Sequence, residues 1–283
     1  MNKIGKGFSL AFAVLLAGLM CLAQAQVMTT GAGVNKAAWT PASLGAGLVA
    51  WYDATSGVYV DAGVTLATNG QTARQWNDRS GHGYNLLQAT SGNRPTYQTG
   101  GFNSRQTVLF ATATSKFMLT AANTVAMGTG NVGSAFGVGR AAGGGGNNGR
   151  IVSYYANAQT NDTTNSQSAA WIMVTQSSGA MSSYRAGFFA NDAAFFSNTT
   201  DYRFGNVYDN TNNTNYLNNS AGTPVAAVGV AWNTPGTLAL STDNTGGGSF
   251  WDGPISEIIV TNTALDAFQR SFLDSYFRTK WGL

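Results

Sequence analysis

The residue types that carry most hydrolytic chemistry are nearly missing from this chain. It holds one glutamate, Glu257, one histidine, His82, and one cysteine, Cys21. Retaining glycoside hydrolysis needs two carboxyl groups about 5 Å apart. Glu257 stands in Ser-Glu-Ile-Ile-Val, and its nearest acid along the chain is Asp252, beyond Gly253 and Pro254. A Ser-His-Asp triad would have to use His82, which sits in a glycine-flanked turn with no G-x-S-x-G elbow. The expectation is a protein that is not an enzyme. Calcium takes carboxylate, amide and backbone oxygens, and Asp53, Asp78 and Asp252 are the acids of suitable type. No EF-hand-like spacing joins them, so no metal ligand and no cofactor is assigned, Ca²⁺ remaining open.

Recognition is the alternative to catalysis. A saccharide is held by aromatic faces against its apolar side and by amides at its hydroxyls. Tyr154 (with its neighbour Tyr155), Tyr208, Tyr216 and Trp251 lie beside Asn- or Gly-rich stretches and are the candidate ligand-binding residues. Trp51 and Trp76 are assigned to the core. Residues 143–149, 157–168 and 209–220 read as long polar loops. Charged residues are only 10% of the chain, with no basic stripe, which argues against nucleic acid as a partner. The expected partner is a glycan or cell-surface polymer, with self-association open.

The amino terminus reads as a secretory signal over residues 1–25. Lys3 and Lys6 precede an uncharged apolar run from Phe8 to Ala23, and Ala23-Gln24-Ala25 suits cleavage. The run is shorter than the roughly 20 residues a membrane span needs, so no span is expected after cleavage. Cleavage also removes Cys21, leaving a fold without disulfides. The expected location is secreted or cell-surface. Residues 26–46 read as a lead-in and 47–283 as one domain.

Short β-branched and aromatic runs separated by turn signals fill that domain. Thr107–Phe110, Val132–Val138, Arg150–Tyr155, Ala169–Thr175, Ser183–Phe189, Tyr202–Val207, Val225–Trp232, Thr237–Leu240 and Ile255–Thr261 read as strands. Val228, Val230 and Trp232 alternate with Gly229 and Ala231. One helix follows, with Leu265, Phe268, Phe272, Leu273 and Tyr276 as its apolar face, Thr263 and Asp266 as its cap, and Gly282 as its stop. Arg278 and Lys280 suit the dipole of its last turn. The fold class is all-β: a two-sheet antiparallel jelly-roll sandwich closed by a short C-terminal helix.

Two segments carry a family resemblance. One runs from Leu48-Val49-Ala50-Trp51-Tyr52-Asp53-Ala54 to Trp76-Asn77-Asp78-Arg79-Ser80-Gly81-His82-Gly83-Tyr84-Asn85. Arg94-Pro95-Thr96-Tyr97 and Val108-Leu109-Phe110 come after it in order. The other is Gly253-Pro254-Ile255-Ser256-Glu257-Ile258-Ile259-Val260, with the tail Lys280-Trp281-Gly282-Leu283. Together they resemble the concanavalin A-like lectin/glucanase superfamily in its laminin-G-like branch. The acidic residue this family often carries after the Phe110 position is Ala111 here. Within the first segment, Gly81 and Gly83 fit positive φ, and Asp78 and Asn85 fit hydrogen bonds to turn amides. With the signal segment and the missing acids, the expected function is an exported, non-catalytic binding protein, carbohydrate-binding or adhesive at the cell surface; the superfamily also includes glycoside hydrolases, and a glycan-active hydrolase is the less favoured reading. A structural subunit of an extracellular layer, filament or virion appendage is the alternative.

Overall fold

Apolar residues at every second position make a strand one-sided, and here the alternation builds two antiparallel sheets. The computed structural model describes residues 38–128, 130–141, 149–156, 171–175, 180–185, 188–195, 200–227, 235–242 and 248–283. The expected signal segment, Cys21, the residues 228–232 alternation and the loop at 157–168 lie outside them. In chain order the strands begin with β1 (Leu48–Asp53), β2 (Val58–Tyr59), β3 (Gln75–Trp76), β4 (Leu86–Leu87), β5 (Thr96–Gln98) and β6 (Thr107–Phe110). They continue with β7 (Met118–Leu119), β8 (Gly133–Gly139), β9 (Gly149–Ala156), β10 (Trp171–Thr175), β11 (Ala180–Arg185) and β12 (Phe188–Phe195). The last are β13 (Tyr202–Tyr208), β14 (Asn212–Leu217), β15 (Ser220–Ala221), β16 (Val225–Ala226), β17 (Gly236–Leu240) and β18 (Gly253–Thr261), before one helix, α1 (Ala267–Trp281).

The first sheet runs β15-β14-β13-β8-β18-β6-β5, with β1 beside β18 and β16 beside β14. The second runs β12-β11-β10-β9-β17-β7-β4-β3-β2. Between them lies the main core, in which Tyr52, Trp76, Leu86, Phe110, Met118, Tyr154, Phe204, Leu238 and Ile258 are buried. This is the expected two-sheet sandwich. Trp51 and Trp76 are both buried, as assigned.

The outer face of the first sheet carries a second apolar layer under α1. Trp51, Ile259, Phe136, Gly205 and Tyr216 form one cross-strand row on it. A Cβ on Gly205 would stand 2.0 Å from Phe136 Cδ1, so the ring lies directly over glycine backbone. The helix docks on this layer through Leu273, Phe277 and Trp281, spaced by four, with Leu265 just before it. That corrects the expected face: Phe268 is 57% exposed and meets Phe272 edge-on. The cap is also Asp266 and not Thr263. Asp266 accepts from Gln269 N and the Gln269 side chain reaches back, while Gly282 closes the helix at φ 72°. Packing starts ahead of residue 47, because Trp39 stacks on Phe272 and meets Tyr276 edge-on.

Two further expectations change. The run Ser183–Phe189 is divided between β11 and β12, which pair through Tyr184 and Phe189; the Ala186-Gly187 step in the sequence is the turn signal it contains. Residues 209–220 are not one long loop, since six of them form β14. Asp209 Oδ1 caps the turn by accepting from Thr211 N and Asn212 N. Asn218 and Asn219, at φ 50° and 66°, make the tight connection to β15. Asparagines suit this strand because their amides are satisfied inside the sandwich: Asn206 Nδ2 lies 2.8 Å from Asn213 Oδ1 and 3.0 Å from Asn215 Oδ1.

Candidate functional site

The four aromatic residues read from sequence as ligand contacts are interior. Tyr154 and Tyr208 are 0% exposed, Trp251 1% and Tyr216 9%. Tyr154 donates its hydroxyl to Val125 O, and Tyr216 lies under α1 with Arg270 stacked 4.5 Å from its ring centroid. Asn215, the polar neighbour of Tyr216, alternates to the other face of β14, and Asp209, beside Tyr208, lies in the turn, so proximity along the chain did not mean exposure. None of these rings presents a face to a ligand, which corrects that assignment.

The two motif segments instead meet at a buried charge cluster. β1 and β18 pair so that Asp53 stands opposite Glu257, on the face that α1 covers. Glu257 is 0% exposed and Asp53 1%. Glu257 Oε1 accepts from Trp51 Nε1 at 2.6 Å and from the Tyr276 hydroxyl at 2.8 Å. Its Oε2 accepts from Trp281 Nε1 at 2.7 Å and from Lys280 Nζ at 3.0 Å. Lys280 Nζ also lies 2.7 Å from Asp53 Oδ2, an oxygen shared with Arg79. Arg79 lies over the Trp51 ring, 4.3 Å from its centroid. Burial pushes the Glu257 carboxyl up from its ordinary value, the Lys280 ammonium pulls it back and the Asp53 charge adds to the rise.

Glu257 therefore does have a second acid beside it, contrary to the sequence reading, although Asp53 lies on another strand. The pair is not open to a saccharide: both carboxyls are buried and engaged by cations and indole N–H groups. Lys280, expected to serve the helix dipole, turns inward to this pair instead.

The turn motif forms a second feature at the surface. Asp78 Oδ1 accepts from Trp51 N and Ser80 N, and its Oδ2 from Ser80 Oγ and Tyr84 N. Asn85 Oδ1 accepts from Asp78 N at 2.9 Å, and Gly81 and Gly83 take φ of 98° and 74°. Asp78 thus organises the loop by the turn chemistry its sequence implies. Ser80 Oγ lies 3.0 Å from His82 Nδ1 and 2.7 Å from Asp78 Oδ2. The hydroxyl stands between acid and imidazole. Nucleophilic catalysis requires the imidazole in the middle, oriented by the acid.

This loop walls an open cleft of about 300 Å³ on the outer face of the second sheet. Gln75 and Leu87 are paired across β3 and β4 at its base, His82–Asn85 form one wall, and Ala121 and Thr124 the other. His82 and Tyr84 stack at 5.4 Å with their planes 13° apart. The Tyr84 hydroxyl accepts from Ala126 N at 3.2 Å and its carbonyl from the Tyr52 hydroxyl at 2.5 Å, so both ends of the residue are fixed. Leu87 is 41% exposed. Asn85 Nδ2 has no hydrogen-bond partner among the described residues. Sequence reading singled out this turn for its glycines but did not read its rings as a surface, because the β3–β4 pairing that sets them over Leu87 is not visible in the motif.

Among the described residues, no three His, Cys, Asp or Glu side chains converge as a metal group, and no helix is long and apolar enough to cross a membrane.

No family model matches the chain, and no curated protein matches it by sequence. Solved structures match its fold. The receptor binding domain of botulinum neurotoxin type G is 10% identical over 82% of this chain and 51% of its own, with a TM-score of 0.52. Trypanosoma rangeli sialidase in complex with sialic acid is 10% identical over 87% of this chain, with a TM-score of 0.51. The chain spans only about a third of the sialidase's length, 35% in that complex. At such identity the likeness is one of fold: the chain is a β-sandwich of the kind found in these proteins.

Proposed function

We propose that this chain is an exported, non-catalytic carbohydrate-binding module of the concanavalin A-like, laminin-G-like kind, acting at the cell surface. The saccharide sits in the cleft between the His82–Asn85 turn and Thr124. The observation that carries this reading is the stacked His82–Tyr84 pair beside exposed Leu87, with the Asn85 amide donor unused among the described residues. Ring faces and an aliphatic patch take the apolar side of a sugar, and amides take its hydroxyls. The order and spacing of the two end motifs support the family reading, and the neurotoxin piece of like fold is by name a receptor binding domain.

The test is a glycan array on the purified chain, followed by calorimetry of any hit. Tyr84→Ala and Leu87→Asn, each checked for an unchanged circular dichroism spectrum, should weaken the hit at least about tenfold, the value of losing one well-packed apolar contact of about 1.4 kcal/mol. Concentration-dependent polymers without any glycan signal refute this function and favour the structural-subunit alternative. A glycan hit unaffected by both substitutions refutes the site.

A further inference from the structure

The Asp53–Lys280–Glu257 cluster has the parts of a condensation site and is closed to any external substrate. We propose that Lys280 Nζ condenses with the Asp53 side-chain carboxyl into an intramolecular amide, with Glu257 relaying the protons, so that β1 is covalently tied to α1. Nothing in this depends on the cleft or on sugar binding.

The geometry supplies each role. Lys280 Nζ lies 2.7 Å from Asp53 Oδ2, and the carboxyl carbon is one bond beyond. That is close to the reacting separation of about 3–3.5 Å at which fixed groups react with high effective molarity. Glu257 Oε2, 3.0 Å from the same nitrogen, is placed to accept its proton. Asp53 Oδ1 accepts from Thr55 N at 2.9 Å and from Thr55 Oγ1 at 2.7 Å, two donors aimed at the oxygen on which charge develops during attack. Oδ2, the oxygen that must leave, is held by the Arg79 guanidinium. With Asp53 1% and Glu257 0% exposed, the reacting carboxyl is shielded from the bulk water that would reverse the reaction. Burial pushes the Glu257 carboxyl up from its ordinary value, which makes it a readier proton acceptor for the relay.

The step balances without an oxidant or a cofactor. The ammonium gives a proton to Glu257, and the amine lone pair forms the N–Cγ bond. The tetrahedral adduct then breaks Cγ–Oδ2. That oxygen leaves as water with two of the three ammonium protons, Glu257 ends as it began, and the amide keeps one N–H. The opposed charges of Lys280 and Asp53 cancel in a neutral bond.

Intact mass of the purified full chain, denatured and with its N-terminus sequenced, tests this directly. The expected mass is lower than that of the sequence by one water molecule. Trypsin should then yield a branched peptide joining residues 37–74 to 279–283. Lys280→Arg should restore the full mass with an unchanged circular dichroism spectrum. A wild-type chain of full mass overturns the proposal, as does a water loss that maps to another aspartate as a cyclic imide or that persists in Lys280→Arg. Should Lys280→Arg fail to fold, the wild-type mass and the branched peptide still decide.

Discussion

Replacing Glu257 by glutamine keeps the shape of the side chain and removes half of its hydrogen-bonding logic. The carboxylate accepts four donors, two on each oxygen: Trp51 Nε1 and Tyr276 OH on one, Trp281 Nε1 and Lys280 Nζ on the other. An amide has one oxygen. Whichever way it turns, its NH₂ faces two of these donors, and both lose their acceptor in a site where Glu257 is 0% exposed. Each stranded buried donor costs about 1–3 kcal/mol, and where Lys280 is still an unjoined ammonium, breaking its buried ion pair with Glu257 from one side costs about 3–5 kcal/mol. The two routes overlap, so the expected loss for Glu257→Gln is about 3–5 kcal/mol, or a drop in Tm on the order of 10 °C for a chain of this size. Urea denaturation followed by tryptophan fluorescence is the suitable assay, because the Trp51 and Trp281 indoles report from inside the cluster. A loss below about 0.5 kcal/mol, within the range of a surface substitution, would mean that the four contacts do not hold the carboxylate as described.

Two other outcomes are expected. Trp251→Ala should cost about 3–5 kcal/mol of stability through the cavity it leaves, since Trp251 is 1% exposed; in the folded fraction, calorimetry should find glycan affinity unchanged. The Tyr276 phenol is pushed far above its ordinary value of 10.0 by burial and the Glu257 charge, and the Tyr52 phenol by burial and the Asp78 charge. A group whose folded pKa is raised stabilises the fold fully below its unfolded pKa and loses that contribution as pH rises through the folded value. Stability should therefore hold up to about pH 10 and fall above it, and ultraviolet titration should find these two phenols silent until the chain unfolds. Their ionisation in the folded protein near pH 10 would contradict the burial.

What the sequence made legible was what short-range chemistry decides. The Asp78 turn was readable because its glycines need positive φ and its Asp and Asn bond amides within a few residues. The sandwich and its helix followed from apolar periodicity. Periodicity blurred where one apolar run covered parts of two strands, β11 and β12, and where a strand buried amides, as in β14. The aromatic assignments failed for a related reason. Tyr154, Tyr208, Tyr216 and Trp251 were judged by their polar neighbours along the chain, whereas alternation sends adjacent strand residues to opposite faces.

The charge cluster lay beyond any local signal. Asp53 and Glu257 are 204 positions apart in sequence and become neighbours only through the β1–β18 register. A slip of one residue in that register would move either acid to the opposite face of the sheet, turned into the apolar core and away from Lys280. The register is held by the alternation of Tyr52 and Ile258 into the core with Trp51 and Ile259 toward α1. The apolar pattern that fixes the sandwich therefore also sets the two carboxyls side by side, and Leu273, Phe277 and Trp281 in turn fix where Lys280 reaches them. Burying two acids in this way is unfavourable unless cations and N–H donors converge on them. The two end motifs of the sequence supply those groups: Trp51 and Arg79 from the first, Lys280 and Trp281 from the second. Trp51, Arg79, Lys280 and Trp281 are thereby joined in one site, while Asp78 and Asn85 of the first motif serve the turn beside it.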